Sequence, residues 1–270
     1  MTSHDVVGLL RRRLGERRIG HSGTLDPDAT GVLLCGVGNL TRFLRYLTDL
    51  PKTYTAEVVL GATTNTLDDS GEILETFDMS GVTLDAARAM VREHLTGPIL
   101  QIPPMVSAIR IEGRRLHELA REGIEVERAA RPVTVHRFEV EDTAQPGVLA
   151  IEVECSSGTY IRSLAADLGA LLGGGAHVRT LRRTAIGTFG EDDASAPELA
   201  PVLSMAEGLR DYAHVVIDEE AARFVRHGRS LPRFGGDGPW VVCDQAGELL
   251  AMYEGAGEVA RPSVVVPEAI

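Results

Sequence analysis

The sequence predicts a mixed α+β fold with a small β-rich domain at its C-terminal end. Three observations carry that expectation. Leu149, Ile151, Val153 and Cys155 alternate strictly with other residues, the period-2 mark of a half-buried strand. Apolar residues at 83–95 and 161–172 recur instead at helical spacing. Beyond Gly190 the chain offers only short β runs separated by turns. Strands and helices do not alternate regularly enough for a doubly wound parallel sheet.

At the start, Thr2 or Ser3 is placed to cap a helix with apolar positions Val6, Leu9, Leu10 and Leu14, and Gly15 to end it. Residues 20–31, GHSGTLDPDATG, hold Gly, Pro, Asp and Ser at turn density and read as a loop. A strand is expected at 55–60, then a polar, acidic loop at 63–71. Residues 83–95 read as an amphipathic helix whose Leu84, Ala87, Met90, Val91 and Leu95 share a face. Residues 101–131 mix Pro, Arg and Gly around a short helix near 116–122. After the strand at 149–155 comes a helix at 161–172, with Leu164, Leu168 and Leu171 inward and Gly173–Gly175 closing it. Residues 191–213 open on the acidic, Pro- and Ala-rich EDDASAPELAP and are expected to form a linker or peripheral segment. In 214–270, WVVC, the turn DQAG and ELLAMY outline the small β domain.

Composition narrows the function classes. Hydrophobic residues at 44% and charged residues at 24% are the profile of an ordinary globular protein. The longest apolar runs, such as 200–203 and 264–267, fall far short of the roughly 20 residues a membrane span needs. MTSHDVVGLLRRR places its charges after its apolar residues, the wrong order for a secretory signal, so the expected location is the cytoplasm, with no membrane partner. Cys35, Cys155 and Cys243 lack metal-ligand or disulfide spacing and read as small apolar residues. The net charge of −12 argues against a nucleic-acid partner, but its distribution does not. Residues 1–55 carry eight basic and five acidic side chains, and 155–187 carry four Arg and one Asp. The acid gathers elsewhere, with nine acidic residues against Arg210 in 188–222. Phosphate contact depends on the local field rather than on the total.

The chemistry concentrates in GHSGTLDPDATG, where Pro27 stiffens a turn and Gly23 and Gly31 admit close approach, a setting suited to presenting a carboxylate. Composition alone leaves a solvated Asx-Pro turn equally open. Asp26-Pro27-Asp28-Ala29-Thr30 also matches DxDxT, the nucleophile motif of haloacid-dehalogenase-type phosphatases. That motif needs a hydrophobic strand running into its first Asp and a downstream Lys. Here the preceding residues are turn-like, and Lys52, the sole lysine, comes too early.

GHSGTLDPDATGVLL resembles instead the signature loop of the TruB-type pseudouridine synthases, close to GHxGTLDPxATGxLL. Further motifs follow in family order. Lys52-Thr53-Tyr54 matches KxY, and Gln101-Ile102-Pro103-Pro104 with Ser107-Ala108 and Gly113 resembles QxPPxxSAxKxxG. Ser157 to Arg162 matches a GTYIR strand, and Gly175-Ala176-His177 with Leu181-Arg182-Arg183 matches GAHxxxLRR. The resemblance is strong over about residues 2–190 and weaker, as a PUA-like module, over 214–270.

What the resemblance implies is an isomerase that converts the T-loop uridine of tRNA (position 55) to pseudouridine. The fold would be a mixed, mainly antiparallel sheet of pseudouridine synthase type over 1–190, with 101–131 as a thumb-like RNA-contacting segment. Residues 191–213 would link it to a PUA-like domain at 214–270. Asp26 aligns with the essential carboxylate, and Arg162 with the Arg that pairs with it, lowering its pKa and aligning it. Tyr54 aligns with the residue that stacks on the everted base, and Tyr160 with the one that contacts it and moves the C5 proton. His21 aligns with a His that holds the flipped nucleotide, and Leu181 with its apolar neighbour. Arg182 and Arg183 are expected to contact RNA. No metal or organic cofactor is implied, because the reaction has no redox step. The expected partner is the tRNA T arm, with no protein partner, and the expected state is a monomer.

The pattern departs from the family in two places. Members usually begin with a strand reading DKPxGxTSHDVV, whereas Met1 here stands in phase with the end of that motif, so an N-terminal strand is expected to be missing. A catalytically impaired tRNA-binding or tRNA-folding protein is the alternative such a truncation would leave. Val106, Arg110 and His117 stand where the family tends to have an aromatic, a Lys and a Tyr.

Overall fold

The computed structural model describes residues 1–267 except 108, 109, 112, 117, 118, 120, 121, 123 and 125. The short helix expected near 116–122 and the departure at His117 therefore lie largely outside the described residues. Contacts sort the chain into two compact units, one of 1–27, 32–50 and 186–270, the other of 28–31 and 51–185. These units cut across the contiguous segments 1–190 and 214–270, because residues 43–50 pack with residues of the C-terminal sheet.

The larger unit is built on a sheet in which strand Ala176–Ile186 neighbours Lys52–Leu60, followed by Val148–Cys155, Arg131–Asp142 and Gly97–Gln101. The pairs from Lys52–Leu60 outward to Gly97–Gln101 are antiparallel, with Tyr54 opposite Val153. One face buries Ala56, Val58, Leu149, Ile151 and Val153 against helices Leu84–His94 and Ile161–Leu171. The period-2 pattern at 149–155 is thus the inward row of a central strand. Strand Arg131–Asp142 carries apolar Val133 and Val135 at odd positions but Phe138 and Val140 at even ones. A bulge between Val135 and Arg137 absorbs the extra residue and keeps both sets on the core face. Thr83 caps helix Leu84–His94 by accepting from the Ala86 N–H, and Ala87, Met90, Val91 and Leu95 join the core as expected.

Three expectations for this unit need correction. The strand expected at 55–60 begins at Lys52, because its first residues pair with Glu152–Cys155. Residues 63–71 are not all loop, since Ala62–Thr64 pairs with Ile73–Thr76. Leu171 is exposed, and Leu172 packs on the core in its place.

In the smaller unit, helix Ser3–Leu14 starts with a capping box between Thr2 and Asp5 and ends at Gly15, whose φ of 64° only glycine adopts cheaply. Its Val7 and Leu10 pack on Ile19. The C-terminal sheet runs in the order Ala213–Val216, Trp240–Cys243, Leu249–Ala256, Val259–Val265, Leu231–Pro232. Trp240, Val242 and Tyr253 cover helix Glu219–Arg226 through Ala222 and Val225. Val241, Cys243, Leu249 and Met252 pack on Phe43, Tyr46, Leu47 and Leu209. The β-rich domain read from the sequence is therefore a curled sheet buried on both faces. Among the described residues no helix is long and apolar enough to cross a membrane.

Candidate active site

The signature loop grows out of strand Ile19–His21, which pairs antiparallel with Cys35–Val37. The Ser22 N–H donates to the Leu34 carbonyl at 3.0 Å, closing the neck of the loop. The Leu25 N–H donates to Ser3 Oγ at 2.9 Å, so a buried serine of the first helix holds the residue before Asp26. Gly23 N–H donates to His21 Nδ1 at 3.3 Å, which leaves Nε2 as the protonated position of a neutral ring. Asp26 is half-buried and Asp28 is exposed. Four residues separate Asp26 from the strand Ile19–His21 that precedes it, so the strand entry a DxDxT nucleophile requires is absent there.

Thr30–Gly31 pairs in parallel with Arg182–Arg183 of strand Ala176–Ile186. Gly31 has φ of 105°, and any Cβ there would collide with the Arg183 carbonyl. Arg182 is exposed and its Nη1 donates to Thr30 Oγ1 at 3.0 Å. Arg183, in contrast, is 1% exposed. It supports the loop from inside rather than offering its charge to solvent, which differs from the RNA contact expected of it.

Tyr54 and Leu181 are half-buried and pack against the core that contains Ile161. The resemblance places Gly158–Arg162 on a strand; the structure places Ile161–Leu171 in a helix, with Tyr160 as its extended N-cap at φ −103° and ψ 111°. The helical reading of 161–172 was the better one, because Leu164 and Leu168 set a helical repeat directly after Arg162.

Arg162 is 2% exposed. Its Nη1 donates to the Thr66 carbonyl at 2.8 Å and lies 3.5 Å from Asp68 Oδ2, and its Nη2 donates to the Val106 carbonyl at 2.9 Å. The other Asp68 oxygen accepts from Thr66 Oγ1 and from Ser70, which fixes the carboxylate in its turn. Sequence reasoning missed Asp68. Its signal, an acid inside the polar stretch 63–71, was indistinguishable from a solvated loop.

Gln101 is also buried, and its carboxamide holds both main-chain groups of Tyr160. Ser163 Oγ donates to the Ile102 carbonyl at 3.1 Å. Tyr54, Tyr160, Arg162, Leu181, Arg182 and Arg183 belong to the larger unit, while His21 and Asp26 belong to the smaller one.

A cleft of about 750 Å³ opens on the larger unit, lined by Asp28, Thr55, Glu57, Glu139, Glu141 and Glu152 among others. Thr55 and Glu57 point to the side of their strand away from Tyr54, as alternation demands. The Arg179 guanidinium holds the Glu57 carboxyl below its usual range. Arg179 and Arg182 also line the cleft, so it carries both signs of charge, with the carboxylates in the majority.

The chain matches the model of the TruB family pseudouridylate synthase N-terminal domain over residues 11–161. It matches the tRNA pseudouridylate synthase B C-terminal domain over 162–218 and the tRNA pseudouridine synthase II C-terminal model over 212–267. It is 44% identical over 275 residues to tRNA pseudouridine synthase B of Mycobacterium tuberculosis strain H37Rv, covering 98% of this chain and 92% of that protein. To the protein of the same name from Nocardia farcinica it is 47% identical, covering 98% and 90%. Among solved structures, a Cbf5–Nop10–Gar1 complex contains a chain that superposes with a TM-score of 0.73 at 25% identity, covering 99% of this chain and 82% of that one. A structure of an H/ACA RNP bound to a substrate RNA containing 2′-deoxyuridine gives a TM-score of 0.71 at 23% identity, a likeness of fold. On these matches the chain belongs to the TruB family of pseudouridylate synthases and is an isomerase.

Proposed function

We propose that this enzyme isomerises the T-loop uridine of tRNA (position 55), with Asp26 as its nucleophilic carboxylate. The observation that carries the reading is the loop around Asp26. Its sequence resembles the family signature and lies within the stretch that matches the family model, and Ser3 and the strand pair around it hold its backbone. Covalent catalysis by a carboxylate needs such fixed presentation.

In this mechanism Asp26 attacks the uridine at C1′ or at the base, and the C1′–N1 bond breaks. The uracil turns, a C1′–C5 bond forms, the bond made by Asp26 breaks and returns its carboxylate, and the C5 proton leaves while N1 regains one. Atoms and charge balance without a cofactor. Tyr160 moves the C5 proton, Arg162 orients the Asp26 carboxylate and favours its charged form, and Tyr54 stacks on the everted base. Eversion costs a few kcal/mol, which the Tyr54 face and Leu181 offset. His21 holds the flipped nucleotide. Arg182, exposed on its strand, meets the phosphates of the T arm, and Arg183 braces the loop behind it.

Segments 1–190, 191–213 and 214–270 act as catalytic, linking and PUA-like RNA-binding parts of a monomer that works in the cytoplasm without a protein partner. Tritium release from a tRNA transcript labelled at C5 of its uridines tests the reading. One equivalent should be released per tRNA, and none when cytidine replaces the T-loop uridine. Undiminished release from the cytidine-bearing tRNA would refute the assignment of position.

A further inference from the structure

The structure assigns Gln101 a role in the reaction, as the residue that positions Tyr160; the inference rests on the reading of Tyr160 as the group that moves the C5 proton. Gln101 ends the strand Gly97–Gln101 and is 2% exposed. Its Nε2 donates to the Tyr160 carbonyl at 3.0 Å, and its Oε1 accepts from the Tyr160 N–H at 2.8 Å. An extended residue points its N–H and C=O to the same side, as in a hydrogen-bonded pair of an antiparallel ladder. A primary amide presents a donor and an acceptor side by side and matches that pattern with one group. The Gln101 side chain thus does for Tyr160 what a neighbouring strand residue would do.

The clamp matters because of where Tyr160 stands. It is the last extended residue before the helix Ile161–Leu171, and its carbonyl already accepts from the Leu164 N–H. One more helical residue would wind Tyr160 into the first turn and rotate its phenol about 100° around the axis. A clamp that requires extended geometry at residue 160 therefore fixes where the helix begins and where the ring points. Two neighbouring ties strengthen it, Arg162 Nη2 to the Val106 carbonyl and Ser163 Oγ to the Ile102 carbonyl. The base of segment 101–131 is stitched to residues 160–163 at three points. Contact of RNA with that segment would consequently be felt at the phenol.

The test is a double-mutant cycle in the full-length enzyme, read as the single-turnover rate of tritium release from tRNA labelled at C5 of uridine. Gln101→Leu removes both hydrogen bonds and should slow release by roughly tenfold to a hundredfold, the scale of a small misplacement of a reacting group. Its dissociation constant for tRNA should stay within about twofold of the parent, since Gln101 acts on rate rather than on binding. In a Tyr160→Phe background the same substitution should add little, because both changes act through one phenol. Gln101→Glu keeps the shape. Its ionised form can accept from Tyr160 N–H but cannot donate to the carbonyl, and its protonated form does both. The rate of Gln101→Glu relative to the parent should therefore rise as pH is lowered. An unchanged rate for Gln101→Leu, an equal loss in the Tyr160→Phe background, or a Gln101→Glu deficit flat with pH would each overturn the proposal. If Gln101→Leu does not fold, the pH profile of Gln101→Glu decides by itself. A parental rate in Tyr160→Phe would instead remove the reading of Tyr160 on which the proposal stands, and is distinguishable from the others.

Discussion

Gly31 shows how little freedom single positions of the signature loop have. Its φ of 105° lies where L side chains rarely go, and its Cα faces the Arg183 main chain with no room for a methyl group. Gly31→Ala should lose on the order of 1–3 kcal/mol from backbone strain alone, with the collision adding to it. A drop in the urea midpoint of that size, together with slower turnover, is the expected outcome. Unchanged stability would mean the loop can move away from strand Ala176–Ile186 at no cost. Arg162 is constrained differently. Two carbonyls and Asp68 surround its guanidinium, so its orientation is set by the fold before any substrate arrives. That is the pre-organisation that the role proposed for Arg162 would require.

At the scale of elements, the first helix depends on Thr2, whose hydroxyl accepts from the Asp5 N–H while Asp5 returns a bond to the Thr2 N–H. Thr2→Ala should cost about 1 kcal/mol, measured by thermal melting. It should also slow turnover, because Ser3 of the same helix holds Leu25 beside Asp26. Elements with one uninterrupted period were legible in the sequence: helices Ser3–Leu14, Leu84–His94 and Ile161–Leu171, and strand Val148–Cys155. Strand Arg131–Asp142 was not, because the bulge after Val135 breaks its alternation midway and hides both halves. The edge strand Gly97–Gln101 was hidden by its Gly-Pro start, which reads as a turn. In the candidate site, the residues proposed from the sequence are those with distinctive chemistry in a fixed motif. Asp68 acts through an ion pair and Gln101 through hydrogen bonds, with partners 94 and 59 residues away in the chain, and no local pattern encodes such partners.

For the whole molecule, an acidic protein acting on a polyanion must bind through a local basic field. Affinity for tRNA should fall steeply with salt, and Arg182→Ala should weaken it for any tRNA while reducing the slope of log K against log salt by about one. A salt-independent affinity would contradict a phosphate-based interface. The central claim is that one particular carboxylate carries the reaction, and substitution of the two acids in the loop tests it most directly. Asp26→Asn keeps the shape and so should keep the turn, but an amide is no nucleophile and the barrier reverts toward the uncatalysed one. Asp28 is exposed and the family pattern leaves its position open, so Asp28→Asn should turn over nearly as the parent does. The measurement is C5-tritium release from labelled tRNA by the two variants, each with tRNA binding confirmed. The account predicts no release from Asp26→Asn and near-parental release from Asp28→Asn; release from the first, or its loss in the second, would contradict it.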